Sequence, residues 1–325
     1  MRIVLLLLSV CGGLVAQSAA TGKMVEKAEA FLATLDAAQR EAAVFAFDDE
    51  AQRKRWSNFP TGIFVRKGAR LADLQPKQKA AAMALLATAL SEEGYRKTLA
   101  IMEGDARLPK SNNPKIVFGR DEYYLAFLGK PSKKEPWALQ FGGHHLALNL
   151  FVAGGQGILT PSHTAAQPAS YEVNGKTVRP LGAENDKAFA LLQALDAEQK
   201  KEAILGYNVR NLVLGPLEDG KTIEPEGLRV AKMNAGQKEM LLGLMQEWVG
   251  MVEKGAAAAR MKELRSRLDE TWFAWSGATE NGKAAYFRIQ GPTVVIEYSP
   301  QGDTSHIHTM YRDPTNDYGK KSWGR

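Results

Sequence analysis

An internal repeat constrains the fold of this chain more than any other feature of its sequence. The segment LDAAQ at residues 35–39 recurs as LDAEQ at residues 195–199. At the same offset, Lys27, Ala28, Ala30 and Leu32 match Lys187, Ala188, Ala190 and Leu192. Further along, at an offset one residue shorter, Gly68 and Gln78-Lys79 reappear as Gly227 and Gln237-Lys238. A repeat of this length is typical of a duplicated domain rather than of a solenoid.

Both repeats have the same predicted order of elements, helices followed by an antiparallel meander. Asp36 is a good N-cap, and Pro76 suits the first turn of a long helix. Gly- and Pro-rich turns separate the short apolar runs that follow, as in a meander. In the first half we predict a helix pair or one long helix at 27–47, with Asp36 as the cap of a second helix that begins after Leu35. We also predict helices at 76–90 and 93–102 and strands at 123–128, 137–141, 144–152 and from 158, with a kink or tight turn at Gly142-Gly143. In the second half we predict a helix at 239–252 and strands at 271–275, 285–290, 293–298 and 304–311.

These patterns predict an α+β fold that is internally duplicated, with the halves in a pseudo-twofold arrangement. We expect a signal peptide at residues 1–20, a first repeat at 21–180 and a second repeat with a C-terminal tail at 181–325, the two repeats packed as one globular unit. The expected mature chain is long enough to bury a core of its own.

The N-terminal segment predicts export to the periplasm or the extracellular medium. A positive start, an apolar run at 3–10 and Ser18-Ala19-Ala20 resemble a cleaved secretory signal. The run is too short to span a bilayer, and no later stretch is long and apolar enough to be a span. A lipoprotein anchored through Cys11 is the alternative, but Val10 stands where a small residue is needed.

Cysteine content and charge exclude several classes of site. Cys11 is the one cysteine, so the mature chain would hold no disulfide, thiolate metal site or cysteine nucleophile. The formal net charge is +6, and the basic residues are scattered. A nucleic-acid-binding protein would concentrate them with aromatic residues, so no nucleic-acid partner is predicted.

The five histidines all fall in two Gly-flanked strand regions. His306 and His308 are two apart on a predicted strand, so both imidazoles point to one face. Adjacent His144 and His145 on a strand would point to opposite faces, and we expect His145 to join the site. Imidazoles grouped in this way suit zinc or copper. The predicted metal ligands are drawn from His144, His145, His163, His306 and His308.

The remaining site candidates lie near the last strand. Asp313, Asp303 or Asp317 could act as a ligand, a partner of a ligand or a base, and Arg312 could bind an anionic group. We therefore name Asp313 and Arg312 as the candidate catalytic residues. The Ser162-His163 and Ser305-His306 pairs lack a nucleophile elbow. The aromatic run at 272–275 predicts a core strand, or else a surface on which a sugar could stack.

Several motifs resemble one secreted family, a domain of unknown function numbered 3500 (DUF3500). The similar stretches are WALQFGGHHLALN at 137–149, Thr160-Pro161 with Pro168-Ala169, Arg179-Pro180-Leu181, HIHT at 306–309, Arg312-Asp313-Pro314 and NDYG at 316–319. The resemblance covers nearly all of the mature chain. It implies an exported protein and assigns no catalytic residue.

The leading functional hypothesis is an exported enzyme with a histidine-based, metal-dependent and hydrolytic site. A bound Zn²⁺ brings the pKa of its water to about 7, which suits hydrolysis. Two alternatives stay open. One is a non-catalytic protein that binds a small-molecule or saccharide ligand in the same cleft. The other is a hydrogen-bonded histidine cluster with a structural role.

Overall fold

The α+β class is confirmed by a computed structural model, which describes residues 20–323. One 12-stranded mixed sheet runs through the molecule, beside a separate two-stranded hairpin. The expected signal peptide, apart from residue 20, lies outside the described residues. Among the described residues, no helix is both long and apolar enough to cross a membrane.

In the first part of the chain the helices come before the longer strands, with two two-residue strands among them. Asp36 caps the second helix as predicted, since its carboxylate accepts a bond from the Gln39 N–H at 2.8 Å. Pro76 is the first residue of a long helix, also as predicted. The helices are α1 at 20–34, α2 Ala37–Ala43, α3 Glu50–Arg53, α4 Pro76–Ala89 and α5 Glu92–Asp105.

The second part of the chain has a similar series of helices. Asp196 caps one of them through the Gln199 N–H at 2.8 Å. The helices are α6 Gly182–Ala194, α7 Ala197–Ala203, α8 Ala235–Val249, α9 Lys254–Ser266 and the short α10 Lys320–Trp323.

The large sheet joins strands from both parts of the chain. Its order is β1-β3-β4-β5-β7-β14-β13-β12-β11-β10, with β2 on β3 and β6 on β5. The strands are β1 Val44–Phe45, β2 Ala69–Arg70, β3 Tyr124–Leu128, β4 Trp137–Gly143, β5 Leu146–Ala153, β6 Gln156–Ile158, β7 Ser162–Ala166, β8 Tyr171–Val173, β9 Lys176–Val178, β10 Leu228–Arg229, β11 Trp272–Gly277, β12 Ala285–Gly291, β13 Val294–Pro300 and β14 Ile307–Arg312.

The antiparallel contact between β7 and β14 joins the two meanders into one sheet. Thr164 is paired with Thr309 at its middle, and their hydroxyls lie 2.7 Å apart. His163 is opposite Met310, and His308 is opposite Ala165. This contact brings the histidines of the two strand regions, distant in sequence, to one place.

The two faces of the sheet are covered differently. Helices pack on one face in two large apolar clusters, and Ile307 and Tyr311 of β14 belong to the second of these. A smaller cluster on the other face contains Met310, Trp56 and Tyr318. Because side chains alternate along a strand, His308 lies on the same face as Met310, under the loop that carries Trp56.

The prediction of a kink at Gly142-Gly143 and of a strand from His144 was wrong. β4 continues through Gly143, and β5 begins at Leu146. A Cβ at Gly143 would lie 2.6 Å from the Glu122 carbonyl oxygen and 2.8 Å from the Tyr123 ring, so this glycine permits close strand packing. His144 and His145 therefore form the turn of the hairpin.

The aromatic run at 272–275 is mostly core. Phe273 and Trp275 are both fully buried. Trp272 is half-buried, and the Arg229 guanidinium lies 5.5 Å from the centre of its ring. A sugar-stacking surface on β11 is therefore restricted to Trp272.

Candidate metal centre

Three imidazoles converge where the β4–β5 turn meets the start of β14. Nε2 of His306 lies 3.0 Å from Nε2 of His145 and 2.8 Å from Nε2 of His308. These separations allow bonds of about 2.0–2.1 Å from each nitrogen to one shared cation. The three residues form a group whose candidate ligand atoms all lie within 4.8 Å of one another.

The backbone of the hairpin turn fixes the position of His145. Its φ of 62° lies in the left-handed region, which costs a non-glycine residue about 1–2 kcal/mol. The Ala165 N–H of β7 donates to the His145 carbonyl at 2.8 Å. Such strain persists where the surroundings hold it, and it is concentrated at functional sites.

Asp105 and Tyr123 orient the His145 ring. Nδ1 of His145 lies 2.7 Å from Asp105 Oδ1, and the Tyr123 hydroxyl donates to Asp105 Oδ2 at 2.6 Å. Burial alone would raise the pKa of Asp105, but the His144 and His145 imidazoles hold it below its ordinary value. An ionised Asp105 accepts a hydrogen bond from the Nδ1–H of His145, so the free lone pair of this ring lies on Nε2. Metal-binding histidines are commonly oriented by a carboxylate in this way.

His306 and His308 reach the same point because of the strand period and the β13–β14 hairpin. The residues are two apart, so their rings lie on one face. The Gln301 N–H donates to the His306 carbonyl at 2.7 Å and closes the hairpin just before β14. His308 is buried and His306 is half-buried, so His306 is the member of the group that solvent reaches most easily.

The environment keeps most of these imidazoles neutral. Burial, followed by the influence of the nearby His145 ring, lowers the pKa of His306 to about 4 and that of His163 to about 3. Burial and the neighbouring His163 lower the pKa of His308, and burial lowers that of His144. Neutral imidazole is the form that binds a metal ion. The cluster therefore presents lone pairs at neutral pH.

His144 and His163 flank the three-imidazole group. The rings of His144 and His145 stack with centroids 3.5 Å apart, and His144 Nδ1 lies 3.3 Å from Asp105 Oδ1. Asp105, His144 and His145 form a second group that could hold an ion. His163 is fully buried, its ring packs edge-on to His308 at 5.3 Å, and neither of its nitrogens has a hydrogen-bond partner among the described residues.

The loop before β2 covers the cluster. Arg66 donates to the Ser57 carbonyl at 2.7 Å and to the Phe59 and Gly143 carbonyls at 2.6 Å, and burial lowers its pKa to about 10. This guanidinium ties the loop to the residue just before the histidine turn. Asn58 of the same loop lies with Nδ2 3.5 Å from Nδ1 of His308.

Arg312 and Asp313 lie at the opposite end of β14 from His306 and His308. Arg312 donates to Asp219 and Asp317 at 2.9 Å, and its guanidinium also bonds the Leu214 and Gly215 carbonyls. Asp313 accepts from the Thr315 hydroxyl at 2.7 Å and lies 3.1 Å from Arg260. Asp303 bonds the Ser305 hydroxyl at 2.6 Å. The structure thus groups the histidines and places the predicted catalytic pair in separate ion-pair networks.

The sequence reasoning did not identify Asp105, Tyr123, Arg66 or Asn58. Asp105 has a weak signal of its own, because it is the last residue of α5, where the helix dipole disfavours an acid. An acidic residue at that position suggests a partner elsewhere in the fold. Arg66 and Asn58 lie in an aperiodic loop, for which the sequence carries no comparable signal.

Comparison with known proteins places the chain in a family. The family model described as "Protein of unknown function (DUF3500)" matches residues 17–320, so the chain belongs to that family. The resemblance of the histidine motifs to this family is thereby confirmed. No curated protein and no solved structure matches the chain.

Proposed function

We propose that this member of the DUF3500 family binds one divalent transition-metal ion, zinc or copper, through His145, His306 and His308. The proposal rests on the position of His306 Nε2, which lies 3.0 Å from Nε2 of His145 and 2.8 Å from Nε2 of His308, while Asp105 binds Nδ1 of His145 from behind. Neutral imidazole is a good ligand for both ions.

Electrostatics supports a cation at this point. With Nδ1 of His145 bonded to Asp105, Nε2 of the same ring faces Nε2 of His306. Three lone pairs at these distances repel unless a proton or a metal ion lies between them. One proton on His306 Nε2 would satisfy both contacts, which is the structural alternative. A single cation satisfies all three nitrogens at once.

We propose hydrolysis as the reaction of such a centre. Three protein ligands leave a coordination position for water, as in catalytic rather than structural zinc sites. The half-buried His306 lies at the side from which water and substrate can enter. A bound ion would lower the pKa of its water to about 7 and supply hydroxide at neutral pH. Asp313 and Arg312 remain our candidates for binding or proton transfer if the substrate reaches along β14.

Metal analysis of protein purified without an affinity tag tests the proposal. The expected result is about one zinc or copper ion per chain after reconstitution and dialysis, with thermal stabilisation by the added ion. Less than about 0.2 ion per chain with no stabilisation would favour the proton-bridged cluster, in which the histidines act structurally. A hydrolase screen then compares the loaded protein with the His306→Ala variant.

We further propose that residues 21–180 and 181–325 are duplicated halves related by a pseudo-twofold axis. Matched local contacts support this. The Gln78 amide donates to the Thr34 carbonyl at 2.8 Å, and the Gln237 amide donates to the Ala194 carbonyl at the same distance. Superposition of the halves in a crystal structure should align these contacts, whereas halves that do not superpose would refute the duplication.

Export of the chain is likewise a proposal, supported by the apolar run at 3–10 and the small residues at 18–20. Expression of the full chain in a Gram-negative bacterium, followed by fractionation and mass spectrometry, tests it. A periplasmic product without the first twenty residues supports export. A cytoplasmic product that retains Met1 contradicts it.

A further inference from the structure

Two segments beside the histidine cluster carry positive charge with no acidic residue. Residues 54–67 and 106–120 contain no Asp or Glu, although the chain as a whole has 36 acidic residues to 42 basic ones. The basic residues in these segments are Lys54, Arg55, Arg66, Lys67, Arg107, Lys110, Lys115 and Arg120. The charge is therefore local rather than a property of the whole surface.

The backbone joins these segments into one surface. Val117 N–H donates to the Thr61 carbonyl at 3.0 Å, and the two residues form a β-bridge. Gly62 has a φ of 95°, and a Cβ there would lie 1.7 Å from the Lys115 carbonyl oxygen. Glycine is thus required where the segments touch. We call the exposed part of residues 59–67 and 110–118 the loop surface.

The loop surface exposes large apolar side chains. Phe59 is 50% exposed, Ile63 is 54% exposed and Val65 is 73% exposed. They are three of the six large hydrophobic residues that are exposed among the described residues. Their concentration within seven consecutive positions is unlike the scattered exposure of single apolar residues on ordinary surfaces.

Lysines with uncompensated charge accompany these apolar side chains. Lys67, Lys110 and Lys115 are exposed, and none of them makes an ion pair within residues 20–323. Arg107 and Arg120, by contrast, are both paired with Glu103. Lys67 follows the exposed apolar positions of the first segment, and Lys110 and Lys115 lie in the second segment, which bonds to the first at Thr61.

We propose that the loop surface docks on an anionic lipid bilayer. Apolar side chains that insert at the headgroup boundary, together with lysines that meet anionic headgroups, are the two contributions that hold peripheral proteins on membranes. A partner that offered only negative charge would leave Ile63 and Val65 in water. A partner that offered only an apolar face would leave the lysines uncompensated.

The loop surface lies next to the candidate metal centre. Asn58 lies beside His308, Arg66 binds the carbonyl of Gly143, and the Phe118 ring lies 5.1 Å from the His144 ring. Membrane docking would therefore hold the histidine cluster next to the bilayer. The docking itself does not depend on whether the cluster holds a metal ion.

Co-sedimentation of the full chain with lipid vesicles tests the proposal. We expect binding to vesicles of mixed phosphatidylglycerol and phosphatidylcholine, weaker binding in high salt, and little binding to phosphatidylcholine alone. The double variant Ile63→Ser/Val65→Ser and the triple variant Lys67→Ala/Lys110→Ala/Lys115→Ala should each reduce the binding constant at least about tenfold.

Leu217→Ser is the matched control, because Leu217 is 73% exposed, like Val65, but lies in a segment with Glu218 and Asp219. It should bind vesicles as the wild type does. Circular dichroism establishes that each variant is folded. Absence of vesicle binding by the wild type, or equal binding by all variants, would overturn the proposal. Binding to polyglutamate that depends on the lysines but not on Ile63 and Val65, without vesicle binding, would also overturn it.

Discussion

Nε2 of His145 lies 3.0 Å from Nε2 of His306, although the two residues come from opposite parts of the chain. A hairpin turn presents one ring and the start of β14 presents the other, and the pairing of β7 with β14 brings the two elements together. Nothing local to either segment creates this contact. The metal-binding hypothesis depends on this contact.

Loss of any of the three proposed ligands should lower metal affinity more than loss of the neighbouring His144. We expect His145→Ala, His306→Ala and His308→Ala each to weaken metal binding by at least about 100-fold, more than the loss of an outer partner does. His144→Ala should weaken it by less than about tenfold. Isothermal titration with Zn²⁺ and Cu²⁺ measures these affinities. A larger loss for His144→Ala than for His306→Ala would place the ion in the group formed with Asp105.

Asp105 should act as a positioning residue for His145. Asp105→Asn keeps the shape of the side chain but removes the charge that accepts the Nδ1 proton, so metal affinity should fall about 10–100-fold. The control is Asp303→Asn, because Asp303 lies on the hairpin before His306 and bonds Ser305. Its affinity should stay within about twofold of wild type. Equal losses for both variants would argue against the orienting role.

The metal-free protein should lose stability as the pH falls below neutral, partly through His163. Burial lowers the folded-state pKa of His163 to about 3, whereas an unfolded histidine titrates near 6.5. Below about pH 6.5 the unfolded chain therefore binds a proton that the folded chain does not, and near pH 5.5 this costs about 1.4 kcal/mol. Above about pH 7 the penalty disappears.

The control for this pH effect is His163→Phe, which keeps a ring but cannot titrate. Urea unfolding at several pH values gives the difference in free energy of unfolding between wild type and variant. Burial raises the pKa of Asp317 to about 6, which acts in the opposite direction but is common to both proteins. We expect the wild type to lose stability relative to the variant between pH 7 and 5. A difference that is constant with pH would contradict the prediction.

A buried ion pair between α5 and α6 should contribute to the packing of the two parts of the chain. Nζ of Lys97 lies 2.6 Å from Glu184, and both side chains are almost fully buried. Lys97→Met would leave the buried Glu184 charge without this partner and should lower the free energy of unfolding by about 3–5 kcal/mol. The double variant Lys97→Met/Glu184→Leu should recover most of that loss. Lys232→Met, which breaks an exposed pair with Glu202, should cost less than about 1 kcal/mol. Denaturant unfolding measures all three.

Local chemistry in the sequence was enough to predict much of the fold. A helix begins directly after Asp36 because the Asp36 carboxylate caps its N-terminus. Another helix begins at Pro76 because the proline ring suits the first turn. The shared face of His306 and His308 follows from the two-residue period of a strand. These features depend on neighbouring residues, which a sequence displays directly.

Other parts of the site depend on contacts that a sequence does not display. β4 continues through Gly143, where the Tyr123 ring and the Glu122 carbonyl leave no room for a side chain, and His144 and His145 form the turn that follows. Asp105 reaches His145 from the end of a helix 40 residues earlier. The loop held by Arg66 has no periodic pattern to predict. Such contacts are set by tertiary packing alone.

Anomalous diffraction from a crystal grown with one equivalent of zinc or copper tests the central claim most directly. We expect one strong peak about 2.0–2.2 Å from Nε2 of His145, His306 and His308, with Asp105 still bound to Nδ1 of His145. A crystal in which His306 Nε2 keeps its separations of 3.0 Å from His145 and 2.8 Å from His308, with no anomalous peak within bonding distance of the three nitrogens, would contradict metal binding, and the cluster would then be a proton-bridged structural element.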